Sequence, residues 1–424
     1  MASTWAGLAD TWAGLDYAWT VGLTVEIGFN LTDNSVAPFF KLDSPEQGRL
    51  DNSEYRLGGT LFYDVTNYVI NVDVQRGKSA ILSEFPPGEC NVSFTNHERA
   101  FDPLFTGSPF YPEIVPKREL RVLKDGYSIF QGWVEDWDLD YTPNGDSVAT
   151  AKAIDALTVI ANQTLDAFTP SVERAGARID AVLDRPEIGW PSTLRDLDEG
   201  AVDMAANPVP VDTNALQYLQ NVAGSDPGYV FVTRDGKFAF RDRRKAPTSD
   251  ALVEFGEGGI GVANLLVNYG SELLFNRVSV SRQFGGTAIA SDVASQDSYG
   301  IRDLVVNEVQ LNNDSDLIDF AVGFASLFSR PEYRFDSVAV NLENQSTSEQ
   351  AQILALEIGD VCKIAFTPNN IGDQIVRYVE VREINHNVDT EFHTVQLGFD
   401  ETRYAPLVLD DAVFGRLDVG TLSW

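Results

Sequence analysis

Two stretches of the chain, Gly132 to Asp155 (GWVEDWDLDYTPNGDSVATAKAID) and Arg377 to Asp400 (RYVEVREINHNVDTEFHTVQLGFD), carry the same succession of features. Each has a Val-Glu strand, an acidic turn, a second alternating strand and a terminal Asp. Alternation with period two puts one face of a strand in a core and the other in solvent, so the match predicts two long hairpins and a duplicated, strand-rich architecture. Each stretch also follows a cysteine in a short strand, Gly88-Glu89-Cys90 and Gly359-Asp360-Val361-Cys362. Short strands repeat easily, so a chance match stands open beside a true duplication.

The residues around the first stretch support strands. Tyr68, Ile70, Val72 and Val74 alternate with polar residues, Pro86-Pro87-Gly88 breaks the chain, and Cys90 to Phe94 resumes it. Hairpins are signed by Asp125-Gly126, between Leu120 to Lys124 and Tyr127 to Phe130, and by Asn144-Gly145, between Trp137 to Tyr141 and Ser147 to Ile154, because such pairs supply the positive φ a right-twisted two-residue turn needs. Strands this short and this dense read as a barrel or sandwich. Asp155 caps a short helix that ends this half.

Between the halves, Ser171 to Arg244 predicts a small α/β module. Val172, Ala175, Ile179, Val182 and Leu183 recur at helical spacing, with Thr169 and Pro170 at the start and Pro186 as the stop. A second helix starts at Asp212 or Thr213, carries Leu216, Leu219, Val222 and Ala223, and ends on Gly224 as a left-handed residue. Tyr229 to Thr233 and Phe238 to Arg241 then form a hairpin about Asp235-Gly236. Further on, Leu273 to Gln283 reads as a strand before a Gly285-Gly286 turn. Leu317, Phe320, Ala321, Phe324, Leu327 and Phe328 form a helical stripe between a Ser315 cap and Pro331. Strands return from Phe335 to Tyr404, with turns at Gly359-Asp360 and around Pro368 to Gly372.

The N-terminus repeats TWAGL at Thr4 to Leu8 and Thr11 to Leu15. Gly7 and Gly14 oppose an isolated helix, so Trp5, Trp12 and Trp19 read as an arm whose rings need a covering surface, either on this chain or on a neighbour. Residues 30 to 60 favour turns and irregular edges.

Composition narrows function more than fold. With 31 Lys+Arg against 63 Asp+Glu the formal charge is −32, which opposes binding to nucleic acid or to an anionic membrane surface. No stretch approaches the roughly 18 to 20 apolar residues that span a bilayer, and no basic segment precedes an apolar run at the start; a cytoplasmic site of synthesis is the expectation. Two cysteines, Cys90 and Cys362, are too few for a disulfide scaffold and read as buried thiols.

The chemical motifs are incomplete. Gly256, Gly258 and Gly261 spell G-x-G-x-x-G, yet Val262 to Tyr269 lacks the helix whose N-terminus would face a pyrophosphate, leaving a glycine-rich turn and no cofactor. His97-Glu98 lacks a second histidine. His386 and His393 stand at an odd spacing that points regular strand residues to opposite faces unless a turn intervenes, so no metal site is expected. Asn312, Asp314 and Asp316 mimic a calcium loop, but Leu317 and Gly323 occupy the places of its glycine and closing glutamate; a helix start explains them. Glu135, Asp136, Asp138 and Asp140 are too ordinary in so acidic a chain to indicate a hydrolase. No catalytic activity is expected.

The central run ARIDAVLDRPEIGWPSTLRDLDEG (Ala177 to Gly200) with ALQYLQNVAGSDPGYVFVTRDGKFAFRDR (Ala215 to Arg243) resembles the minor tail proteins of siphophages infecting actinobacteria, specifically the tail-tip hub (tail-associated or baseplate hub) family. The resemblance extends through NRVSVS (Asn276 to Ser281), SYGIRDL (Ser298 to Leu304) and LEIGDVCKIAFTP (Leu356 to Pro368). It implies an α+β, mainly β chain with two related tube-type β-barrels and an inserted α/β domain: arm and irregular edge at 1–60, barrels at 61–165 and 330–404, the insertion at 166–250, linking strands and helix at 251–330, and a tail at 405–424. It also implies a homotrimer that closes the tail tube. Its partners would be the distal tail protein, the tape measure protein and tip or fibre proteins, with DNA passing unbound through a lumen that carries part of the acidic charge. The alternatives are a hexameric distal-tail adaptor and a carbohydrate-binding host-receptor module.

Overall fold

Asp125 and Gly126 both take positive φ, 51° and 82°, and on these two residues the chain reverses between Glu119–Lys124 and Tyr127–Tyr141, as the sequence predicts. The computed structural model describes residues 22–29, 60–79, 83–143, 147–242 and 251–401. The arm bearing Trp5, Trp12 and Trp19, the Asn144-Gly145 turn and the tail at 405–424 lie outside them. The chain is mainly β with several helices and divides into two compact units.

The first unit comprises Met1–Val74, Glu89–Ile154 and His386–Thr394. Its strands are β1 (Leu23–Gly28), β2 (Phe62–Asp64), β3 (Val69–Gly77, which continues into the second unit), β4 (Glu89–Thr95), β5 (Glu119–Lys124), β6 (Tyr127–Tyr141) and β7 (Ser147–Ile154). Their order is β3-β4-β7-β6-β5-β1-β2. Period-two alternation fills the core: Val25, Ile27, Val72, Val74, Val92 and Phe94 are buried. Alternation fails at Ile70, which is exposed, and Tyr68 sits in a 3-10 turn ahead of β3, so the inward register starts at Val69 and Val72. Above the sheet, Phe101 stacks on Phe94 (ring centroids 4.4 Å) and meets Phe110 at 5.2 Å, Tyr68 at 5.3 Å and Trp137 at 5.7 Å. These rings hold the long β4–β5 connection against the core without regular structure.

The second unit comprises Gln75–Gly88, Asp155–Asn385 and Val395–Trp424. It opens with α1 (Ala156–Ala161), capped by Asp155, whose Oδ1 accepts from Leu157 N at 2.9 Å. Short pairs follow: β8 (Thr164–Leu165) with β12 (Thr213–Asn214), and β9 (Glu173–Arg174) with β11 (Asp203–Met204). Helix α2 (Ala175–Leu183) packs on α3 (Ala215–Ser225). Strand β10 (Arg195–Leu197) runs parallel to β14 (Phe238–Arg241), which is antiparallel to β13 (Tyr229–Val232).

Several sequence expectations shift here. Helix α2 starts at Ala175, not at Thr169 or Pro170, because Glu173 and Arg174 are drawn into a strand pair and Val172 is left exposed. The cap of α3 is Asn214, accepting from Gln217 N at 2.9 Å, rather than Asp212 or Thr213. Gly224 lies inside α3, which runs one residue further. In the 233–237 turn only Gly236 is left-handed (φ 80°), and Thr233 N donates to Lys237 O, so that hairpin has a wider loop than a two-residue turn.

Beyond it lie β15 (Val253–Gly256), β16 (Asn264–Tyr269), β17 (Arg277–Arg282), β18 (Thr287–Ser291), α4 (Val293–Tyr299), β19 (Asp303–Val309) and α5 (Asp314–Phe328). Only Arg277–Arg282 of the expected 273–283 strand forms. The N-cap of α5 is Asn313; Ser315 falls in its first turn. Helix α5 covers β17 and β18 of the β18-β17-β19 sheet. The chain then forms β20 (Tyr333–Asn341), α6 (Thr347–Ala355), β21 (Val361–Phe366), β22 (Ile375–Val388) and β23 (His393–Glu401). Helix α6 was not expected, although Ser346 and Glu349 form a full capping box.

The strands of this part run β16-β20-β23-β22-β21-β15. This repeats the order β3-β4-β7-β6-β5 position for position; the last strands differ, β1 running antiparallel to β5 and β15 parallel to β21. The two long hairpins, β6–β7 and β22–β23, occupy equivalent places, but Val134 stands where Val381 stands, two residues from the alignment in the sequence match. The cysteine strands do not occupy equivalent places: Cys90 on β4 pairs with Ala153 of β7, whereas Cys362 on β21 pairs with Val379 of β22. The counterpart of β21 is β5. Lys117 (φ 66°) and Gly359 (φ 95°) each precede their strand in a left-handed conformation. Lys117 N donates to Val134 O at 2.6 Å and Val134 N to Arg118 O at 2.8 Å; Gly359 N donates to Val381 O at 2.8 Å and Val381 N to Asp360 O at 2.9 Å. The terminal aspartates also part company, Asp155 capping a helix and Asp400 lying within β23. Among the described residues neither strand path returns on itself, so the expected closed barrels are open sheets. On the outer side of β3 the neighbour is β22, where closure of the first set calls for β1 or β2.

Candidate assembly surfaces

The chemically suggestive residues resolve into packing. Gly256 and Gly258 take φ of 90° and 85°, and Gly256 N donates to Ile260 O at 2.8 Å, a tight turn from β15 that leads to strand β16 instead of a helix. Asp314 meets Arg282 at 2.8 Å, and Asn313 Nδ2 reaches Asp316 at 3.2 Å, at the start of α5. Lys117 pairs with Glu135, and Lys152 with Asp138. His97 is exposed. Among the described residues no group of three or more His, Cys, Asp or Glu is placed to hold a metal ion, and no helix is long and apolar enough to cross a membrane.

His386 and His393 do come together, Nδ1 to Nε2 at 2.9 Å, because the β22–β23 turn intervenes between them. Both are buried. Burial, and then the Lys124 charge, hold His393 neutral by lowering its pKa to about 3. The unfolded chain takes up this proton at an ordinary histidine pKa, which the folded chain refuses until far lower pH. The contribution to stability is therefore present above about pH 6.5 and lost as pH falls toward 3. His393→Gln is expected to flatten the fall of the urea midpoint between about pH 7 and pH 4; a slope equal to the parent's would contradict this reading.

Cys90 and Cys362 are buried free thiols. Burial raises both pKa values strongly, so neither has thiolate to offer a reagent. An aromatic disulfide reagent is expected to modify neither in the native chain and both in denaturant; rapid native labelling would contradict the packing.

Charge in the second unit is concentrated in arginine networks that sequence reasoning missed. Arg382, almost fully buried, donates to Phe399 O, to Asp336 Oδ1 at 2.9 Å, to Ser79 O at 3.2 Å and to Lys78 O at 3.3 Å, with Asp400 at 3.6 Å. Arg178, wholly buried, reaches Glu173 at 2.7 Å, Tyr218 Oη at 3.1 Å and the Ser171 and Ala205 carbonyls at 2.6 and 3.1 Å. Asp155 accepts from Gly88 N and Leu157 N, which favour its charge, but burial dominates and raises its pKa to about 7.

What remains open is strand edge and apolar face. Among the described residues strand β16 pairs only with β20, and its Leu266 and Tyr269 are 51% and 67% exposed. Strand β6 pairs with β5 as far as Trp133; from Asp136 to Tyr141 it has β7 on one side and, among the described residues, no strand on the other. On the β18-β17-β19 sheet, Ile289 and Val305 are exposed.

No protein-family model and no curated protein sequence matches the chain. Solved structures do. The tail protein of Neisseria meningitidis MC58 superposes with a TM-score of 0.60 at 10% identity, covering 90% of this chain and 97% of that one. The 43 kDa tail protein of prophage MuSo2 from Shewanella oneidensis gives 0.56 at 12% identity over 90% and 98%. This chain has the tail-protein fold. At such identities the likeness is one of architecture.

Proposed function

We propose that the chain is a structural protein of a phage tail, and within the tail the hub at the distal tip, where three copies close the tube and join it to tip or fibre proteins. The observation that carries this reading is the repeated strand order, β3-β4-β7-β6-β5 and β16-β20-β23-β22-β21, in a chain with the tail-protein fold. Two equivalent sheets per chain give three copies six equivalent units, which meets a six-fold tube at a three-fold tip through a heterologous contact that closes a ring. The distal tail and tape measure proteins are its neighbours, and Trp5, Trp12 and Trp19 are the arm that docks on one of them. A net charge of −32 repels DNA phosphate, so the passing genome is not held. The role is mechanical, not catalytic. A single-copy epitope tag on the chain, located by gold labelling of virions, is expected at the distal end of the tail. Labelling along the whole tube, or none on virions, would contradict the assignment.

A further inference from the structure

We infer that β6 of one copy, from Asp136 to Tyr141, bonds edge to edge with β16 of the next copy. The inference rests on the multi-copy reading above and adds the surface by which copies join. Its basis is a bond already made inside the chain. In the second strand set, β22 runs past the end of β21 and is covered there by β3: Lys78 N donates to Arg382 O at 3.1 Å, and Asn387 Nδ2 donates to Asp73 Oδ1. In the first set, β6 runs past the end of β5 in the same way, from the matched pairs Glu119–Trp133 and Val361–Glu380 onward. The strand that corresponds to β3 is β16. Its own outer edge is empty among the described residues, and so is that of β6 beyond Asp136. A chain that uses one edge pair internally and leaves the equivalent pair unmade at its two ends is built to make it with a copy of itself.

The chemistry of the two edges agrees. Strand β16 (NLLVNY) carries no charge and no proline, the devices that guard a solvent-exposed edge. Strand β6 carries Asp136, Asp138 and Asp140, which repel a second β6 but not β16. Counting from the matched pairs, Asp140 stands where Asn387 stands. Strand β16 offers Asn264 and Asn268, so the amide–carboxylate bond can form with its partners exchanged.

The test is hydrogen exchange on the full chain, compared above and below its assembly concentration, together with Leu266→Pro. The β16–β20 register shifts between Leu266 and Val267, and proline is found on edge strands and at such irregularities. Assembly is expected to slow exchange in 136–141 and 264–269 together. Leu266→Pro is expected to raise the assembly concentration about tenfold or more while leaving exchange in the dissociated chain unchanged. If the parent chain assembles with both segments still exchanging freely, the edge pair is overturned while the multi-copy reading survives. If it stays monomeric at every concentration and in virions, both are overturned.

Discussion

Replacing Arg382 with alanine is expected to destabilise the second unit by about 3–5 kcal/mol, the range found when one partner of a buried ion pair is removed. The guanidinium is the donor for the Phe399, Lys78 and Ser79 carbonyls and the counter-charge of Asp336 and Asp400. The carbonyls lose that donor inside the protein, and Asp400, itself buried, keeps Lys78 at 3.8 Å without its second cation. Arg382→Met should recover part of the packing but not the donors, so its cost is expected to be smaller and its direction the same. Urea midpoints for the parent and the two variants measure this. A loss below about 1 kcal/mol for the alanine variant would show that water or Lys78 replaces the guanidinium.

The second large effect belongs to the first unit. Phe101→Ala is expected to cost about 3–5 kcal/mol, the range for aromatic-to-alanine truncation in a core. Its ring is fully buried at the meeting point of Phe94, Phe110, Tyr68 and Trp137. The β4–β5 connection is a run of turns bonded within itself, Arg99 N to Asn96 O, Asp102 N to Arg99 O, Phe105 N to Asp102 O and Ser108 N to Phe105 O, so the ring is what fixes it to the sheet. Hydrogen exchange should therefore rise over 96–118 before it rises in β6 and β7. Uniform exchange across the unit would mean that the connection and the sheet open as one.

How far the fold could be read from the residues depended on whether local chemistry decided the geometry. Asp125-Gly126 and the Asp155 cap were legible because each is a local demand: two positive φ angles, and a carboxylate for an orphan N–H. The long hairpins were legible because alternation survives burial on one face. Three failures share one cause, tertiary pairing overriding local preference. Strand pairs drew in Glu173–Arg174 and Thr213–Asn214, so α2 begins later than its stripe suggests and α3 later than its expected cap. The matching cysteines suggested equivalent strands, but sequence spacing carries no information on which side of a hairpin a third strand joins. The true correspondence of β5 with β21 rests on Lys117 and Gly359, two residues that both take positive φ and have no chemical likeness. Helix α6 was missed despite a legible signal, the Ser346–Glu349 box. The edges of β6 and β16 were illegible for a different reason: an edge is defined by what is not beside it.

The central claim, that one chain supplies two equivalent units to a ring, is tested most directly by a cryo-EM reconstruction of the assembled tip. The account predicts three copies about the axis, with the β3-to-β5 set and the β16-to-β21 set superposing on each other after a rotation of about 60°. Six copies about the axis, or three copies whose two strand sets stand at unrelated positions, would contradict it.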